Sequence, residues 1–264
     1  CIEKLIDGSI KAGAAVPADV AQALRADVIV SVIKCSNNPQ TFQHALLLLA
    51  RIANVAPEAV LHNVMPIFTF VGATVLQRDD AFSFSVVERV LQSIVPALVG
   101  SLKASDAAKQ RKFALLCEAR MFVRIFTDAA AHVPRHRRQT FFRILVDVLG
   151  ADDFAAAVAM LLVDRSAHKI VKQPRADAEQ TLQLPLSVVS PHSAMVQVQV
   201  LHQVLEEVLR IWAHRAETDA LSEHVFLDRA GRLDKEHVDH EAEPLRQIQA
   251  LVMFIRQVLT SKAF

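Results

Sequence analysis

LHNVMPIFTFVGATVLQRDDAFSF, Leu61 to Phe84, is the stretch whose reading decides the fold. Between Glu58 and Arg78 lie nineteen residues without a formal charge, interrupted by Pro66 and Gly72. A membrane span, a buried strand and a kinked helix compete for it. A span needs about 20 mostly apolar residues in hydrocarbon. This run holds His62, Asn63, Pro66, Thr69, Gly72, Thr74 and Gln77, which disfavour the bilayer core. A strand over Ile67 to Val71 fits locally, but the pieces on both sides follow helical spacing: Val60 and Val64, then Leu61, Met65 and Phe68. The kinked helix therefore prevails. Pro66 in its interior removes one N–H and presses on the carbonyl of His62, at about 3 kcal/mol, which burial of the apolar rows offsets. The helix is expected to end near Arg78, with Asp79-Asp80 leading to a partner helix at Phe84 to Leu102.

Working outward, Ser85 to Leu102 carries two adjacent i, i+4 rows: Val86, Val90, Ile94 and Leu98, then Val87, Leu91, Val95 and Val99. Glu88, Arg89, Gln92 and Ser93 fall on the other side, so one broad apolar face is predicted. A shift of thirty residues pairs Val60 with Val90, Val64 with Ile94 and Pro66 with Pro96, which makes Pro66 and Pro96 matching kink positions. Phe113, Leu116, Cys117, Phe122 and Phe126 give another apolar face. Leu245, Ile248, Val252, Ile255 and Leu259 repeat at 3, 4, 3, 4 spacing and predict a packed helix near the end. Gln139 to Leu149, Phe154 to Val163 and Ser193 to Trp212 complete the helices; MVQVQV alternates like a strand, but its continuation into LHQVLEEVLRIW makes it helical.

Pro17, Pro39, Pro57 and Pro134 each precede an apolar-periodic segment, where Pro fits a first helical turn. Asp79-Asp80 and Ser105-Asp106 offer caps. These marks recur at roughly twenty residues, so two helices fit in about forty, the span of a HEAT-type repeat. The predicted fold is all-α, an α-solenoid of antiparallel helix pairs over residues 1–264 as one segment. Two long loops are expected to project from it. One is 166–191, with Pro174, Pro185 and Pro191, and the other is the charge-dense 228–244.

Composition agrees. Of 264 residues 52% are hydrophobic, Gly occurs six times and Tyr never, which favours helix formers over turn-rich β architectures. The chain begins at Cys1 without an initiator Met, which suggests an internal piece of a longer chain. Cys1, Cys35 and Cys117 are odd in number and lack a C-x-x-C pair, so buried reduced thiols and an intracellular setting are expected. Net charge is +1, but residues 109–175 carry 13 Lys+Arg against 6 Asp+Glu, and residues 176–243 carry 5 against 13. The two stretches suit partners of opposite charge.

Catalytic chemistry finds no support in the motifs. The isolated glycines form no phosphate loop, so no nucleotide cofactor is expected. No G-x-S-x-G elbow is present, and Cys117 with a distant His is a pair that any chain with eleven His supplies by chance, so a structural thiol is expected. His132 and His136 are separated by Pro134 and crowded by Arg135, Arg137 and Arg138, while HVDHEAE with His237 and His240 reads as a solvated charge run. Asp79-Asp80 and Asp152-Asp153 stand at expected helix starts and read as caps. No enzyme, no metal, no membrane and no small-molecule substrate follow as expectations. The basic stretch is the candidate functional surface: Lys109, Arg111, Lys112, Arg135, Arg137, Arg138 and Arg143 for RNA phosphates or a protein partner. Phe113, Phe122, Phe126, Phe141 and Phe142 look like core rather than base-stacking platforms.

HNVMPIFTFVG, followed by RDDAFSF and VPAL, closely resembles a signature of the U3 small nucleolar RNA-associated protein 10 family, the large HEAT-repeat component of the small-subunit processome. The resemblance covers about Pro57 to Gly100. It implies a nucleolar scaffold in ribosome biogenesis and pre-rRNA processing, with processome proteins, U3 RNA and pre-rRNA in the same ribonucleoprotein, and it brings no catalytic residues. A HEAT-type adaptor in nuclear transport or signalling is the alternative, since one solenoid fold hosts many functions.

Overall fold

The computed structural model describes Gly8 and residues 24–104, 112–214, 225–227 and 242–261. Among these residues there are α-helices and one π-helical turn, and no strand. The chain divides into two compact units, Cys1–Asp106 with Ala129–Arg137, and Ala107–Asp128 with Arg138–Phe264. Sequence reading expects one segment.

The first unit holds α1 (Ala26–Cys35), α2 (Pro39–Val55), α3 (Pro57–Leu61), α4 (Val64–Phe70), the π turn Val71–Val75 and α5 (Ala81–Ala104). Pro39 and Pro57 open their helices as expected, and Asn38 caps α2 by accepting the Gln40 N–H at 2.9 Å. The opening stretch is helical, but the single kinked helix is corrected. The chain breaks at His62-Asn63, and Pro66 is the third residue of α4. In a first turn the N–H that Pro lacks has no intrahelical acceptor, so the interior penalty does not arise. The second irregularity is the π turn, where the Leu76 N–H reaches the Val71 carbonyl at 3.0 Å.

The partner of α5 is corrected too. It packs chiefly on α2, with α3 and the π turn as smaller contacts, so the opening stretch is not its main partner. Both predicted rows of α5 are buried except Leu98, while Pro96 lies inside the helix on its exposed side. α5 is long and apolar enough to cross a membrane by composition, yet its apolar face is occupied by helix packing, as in a core helix.

Polar groups fix the α2–α5 pairing. Asp80 accepts the Ser83 N–H and the Ser83 hydroxyl, each at 2.6 Å, and buried Gln43 donates to the same hydroxyl at 2.7 Å. Those donations from Ser83 hold the Asp80 carboxyl below its usual range. Its contribution is therefore complete above the ordinary carboxylate pKa and is lost as pH falls through the depressed folded value. Ser83→Ala leaves the Gln43 amide buried without this partner and is expected to lower stability by about 1–3 kcal/mol. A urea denaturation midpoint equal to that of the parent would contradict this.

The second unit is built around α8 (Ala151–Lys172), whose residues from Phe154 to Asp164 are all buried. A helix apolar all round belongs in a core. Around it lie α9 (Arg175–Thr181), α10 (Gln183–Val189), α11 (Ala194–His214) and α12 (Ala242–Leu259), each packed on α8. The remaining helices are α6 (Lys112–Ala129) and α7 (Arg135–Leu149); Phe126 and Phe141 meet at 5.8 Å between ring centres. The loop expected at 166–191 is corrected: α8 continues to Lys172, and Pro174 and Pro185 stand at the start of the short helices α9 and α10. The prolines punctuate helices there rather than exclude them. Of the second expected loop, residues 228–241 lie outside the described residues, and 242–244 begin α12.

The apolar face expected on α12 is corrected by one row. Gln247, Ala250, Leu251, Phe254 and Val258 are buried, while Leu245, Val252 and Leu259 are exposed.

Candidate functional site

The basic residues divide by what they touch. Lys109 and Arg111 lie outside the described residues. Lys112 donates to the Asp152 carbonyl at 2.6 Å and pairs with Asp153 at 3.4 Å, tying the start of α6 to the start of α8. Arg137 donates to Asp79 at 3.0 Å and lies 5.1 Å from the centre of the Phe84 ring, with its side chain only 20% exposed. Arg138 is half-buried and engaged, whereas Arg135 and Arg143 are exposed on α7. Arg120 and Arg165, other members of the basic stretch, donate to backbone carbonyls. A basic stretch in sequence is thus partly internal wiring. Arginine suits that task, since its fork satisfies carbonyls that no N–H reaches.

Sequence reading missed a clamp in the second unit. Val225, Phe226 and Leu227 are all buried, although they belong to no helix. Their backbone groups must be satisfied by side chains. Glu207 of α11, fully buried, accepts the Leu227 N–H at 2.8 Å. Gln247 of α12 donates to the Leu227 carbonyl at 3.2 Å and to Asp164 of α8 at 2.8 Å, and Arg120 of α6 donates to the carbonyls of Val225 and Phe226. Burial is the main influence on Glu207 and raises its carboxyl pKa; the Leu227 and Phe226 N–H groups and Arg210 act the other way. The available signals were a glutamate on the buried row of α11 with Val200, Val204 and Ile211, and an apolar triplet within a polar stretch.

Beside the clamp is a cavity of about 240 Å³ lined by Phe113, Met160, His202, Glu206, Arg210 and Phe226. Arg210 pairs with Glu206 at 3.1 Å and stacks 4.0 Å from the centre of the Phe113 ring, so its charge is already matched within the cavity wall. The cavity is smaller than the roughly 300–1,000 Å³ of ordinary ligand pockets. Among the described residues no three His, Cys, Asp or Glu side chains are grouped to hold a metal; His237 and His240 lie outside those residues. The burial expected of the cysteines is corrected: Cys35 is exposed and Cys117 half-buried, while Cys1 lies outside the described residues.

The chain is similar to known proteins. A family model described as "HEATR1-like, HEAT repeats" matches residues 117–264. The chain is 84% identical over its whole length to U3 small nucleolar RNA-associated protein 10 of Mycosarcoma maydis and covers 12% of that protein. It is 33% identical over 263 residues to HEAT repeat-containing protein 1 of Homo sapiens, 96% of this chain and 12% of the relative. With U3 small nucleolar RNA-associated protein 10 of Schizosaccharomyces pombe it shares 38% identity over 153 residues, 58% of this chain and 9% of the relative. The chain thus spans about one-eighth of the length of its first two relatives, at 12% each.

Proposed function

The chain belongs to the HEATR1-like family of HEAT-repeat proteins, and on that footing we propose that it is one portion of a non-enzymatic scaffold in ribosome biogenesis, acting in small-subunit processome assembly and pre-rRNA (18S) processing in the nucleolus. The observation that carries this reading is the 84% identity over the whole chain to a protein named for the U3 small nucleolar RNA. Its helices suit the task physically, since stacked helix pairs present extended surfaces that hold separate partners in fixed relation. Purification of the tagged full-length protein should recover other processome proteins and U3 RNA. Their absence from stringent nucleolar purifications, or a stable cytoplasmic signal, would favour a transport or signalling adaptor instead.

Direct contact with pre-rRNA or U3 RNA phosphates is the finer reading, and exposed Arg135 and Arg143 are the residues that favour it. Arg137 is unsuited to the test, because charge reversal would break its contacts to Asp79 and Phe84. The combined variant Arg135→Glu, Arg143→Glu is expected to weaken single-stranded RNA binding and to make its salt dependence shallower by about 0.7 in slope per lost phosphate contact. Binding that keeps its affinity and slope in the variant would assign those arginines to protein docking.

A further inference from the structure

α11 is apolar on two sides. Its inner row, Val196, Val200, Leu201, Val204 and Ile211, is buried where the helix packs on α8 and α12. Its outer row, Met195, Val198, Leu205, Leu209 and Trp212, is exposed, with Met195 at 68%, Leu209 at 67% and Trp212 at 54%. Together with His202 these residues step by 3, 4, 3, 4 and 3, the seam spacing of a helix that meets another along its length. His202, with its side chain 72% exposed, is the polar member of the seam. It also lines the cavity of about 240 Å³, as do Gln203, Glu206 and Arg210 of the same helix. At about 100° per residue, Glu206 stands roughly 40° and Arg210 roughly 80° round the helix from His202, so the cavity runs along one flank of the seam. Its floor is apolar, made of buried Leu116, Met160 and Phe226.

We propose that the α11 seam and this cavity form a docking site for an amphipathic helix of a different polypeptide. The incoming helix lays its apolar row on Leu205, Leu209 and Trp212 and places one large apolar side chain in the cavity. The inference rests on the scaffold reading and deepens it by naming the kind of partner held. Three observations select this occupant. At about 240 Å³ the cavity falls below the range of drug-sized ligand sites but accommodates a Leu, Met or Phe side chain, the pocketed anchor on which partner interfaces concentrate their energy. Trp212, Met195 and Arg210 are side-chain types that gather at interfaces between separate proteins, and Gln203, Glu206 and Arg210 give the apolar centre a polar rim. His202 disfavours a second copy: a centred antiparallel pairing of the seam with itself sets each His202 against a Leu205, and a parallel one sets His202 against His202, so both cover imidazoles without an acceptor. A different helix can present a carboxylate or an amide oxygen to His202, which also fixes its register on the seam.

The test places photocross-linking residues at His202 and Leu209 of the tagged full-length protein, irradiates nucleolar particles and sequences the joined peptides. Both positions should join to one segment of a different protein, with apolar residues at helical spacing. A synthetic peptide of that segment should bind the purified full-length protein. Leu209→Glu should weaken that binding about tenfold or more while leaving the far-ultraviolet circular dichroism unchanged, and alanine replacement along the peptide should find one large apolar residue with a loss of the same size. Cross-links confined to the same polypeptide or to a second copy would overturn the proposal. So would a peptide that the Leu209→Glu variant binds as well as the parent does. Either result leaves the recovery of U3 RNA and processome proteins intact, whereas the loss of that recovery counts against the scaffold reading itself, so the two failures are told apart.

Discussion

Phe226→Ala is expected to lower the stability of the second unit by about 3–5 kcal/mol, the range for removing a fully buried aromatic side chain. Phe226 is 0% exposed and sits in a segment with no helical hydrogen bonds of its own. Its position depends on the ring filling the interior and on Arg120, Glu207 and Gln247 holding the backbone on either side. Losing the ring therefore weakens the attachment of the segment as well as the packing of α6, α8, α11 and α12. Trp212, the only tryptophan, lies on α11 and reports the transition by fluorescence in urea. Hydrogen exchange at the Leu227 amide should accelerate along with the loss of stability, because Glu207 protects that N–H only while the segment is seated. Phe226→Leu, which keeps most of the volume, should lose less than about 1.5 kcal/mol. A loss below about 1 kcal/mol for the alanine variant would mean that the segment is not anchored as described.

The helices were legible in the sequence wherever local rules acted alone. Pro39 and Pro57 fit first turns, Asp80 caps α5, and the paired rows of α5 point inward because a continuous apolar face leaves one way to bury it. Pro66 was misread because the same residue is costly inside a helix and harmless in its first turn; the break at His62-Asn63 chooses between them. α12 offered two adjacent rows. Hydropathy favours Leu245, Ile248, Val252, Ile255 and Leu259, since the other row includes Gln247. Burying an amide is tolerable only with partners, and those partners, Asp164 and the Leu227 carbonyl, come from 83 and 20 residues away in the chain. The basic surface met the same obstacle. Sequence counts charges, but whether Lys112 or Arg137 faces solvent depends on carbonyls and carboxylates supplied by distant elements.

Replacing Glu207 with Gln is expected to remove a pH dependence while keeping the fold, and replacing it with Leu to break the clamp. Glu207 has 0% exposure, accepts the Leu227 N–H through Oε1 and lies 3.6 Å from Arg210 through Oε2. Its folded pKa is raised because burial outweighs those favourable partners. Between the ordinary carboxylate value and the raised one, the folded state binds the proton more tightly than the unfolded state does. Stability from this group is therefore complete below the ordinary value and is lost as pH rises through the folded value. Gln keeps an oxygen for Leu227 and carries no charge, so the stability difference between the Gln variant and the parent should shift toward the variant as pH rises across that window. Arg210 retains Glu206 and Phe113 in the variant, which limits the effect of losing its second partner. Leu fills similar space but leaves the Leu227 N–H buried without an acceptor, at about 1–3 kcal/mol. Urea midpoints for the three proteins between pH 4 and 8 separate charge from hydrogen bonding. If the Gln variant follows the parent at every pH, the carboxyl is not titrating in the interior. If the Leu variant is as stable as the parent, the Leu227 N–H does not depend on Glu207.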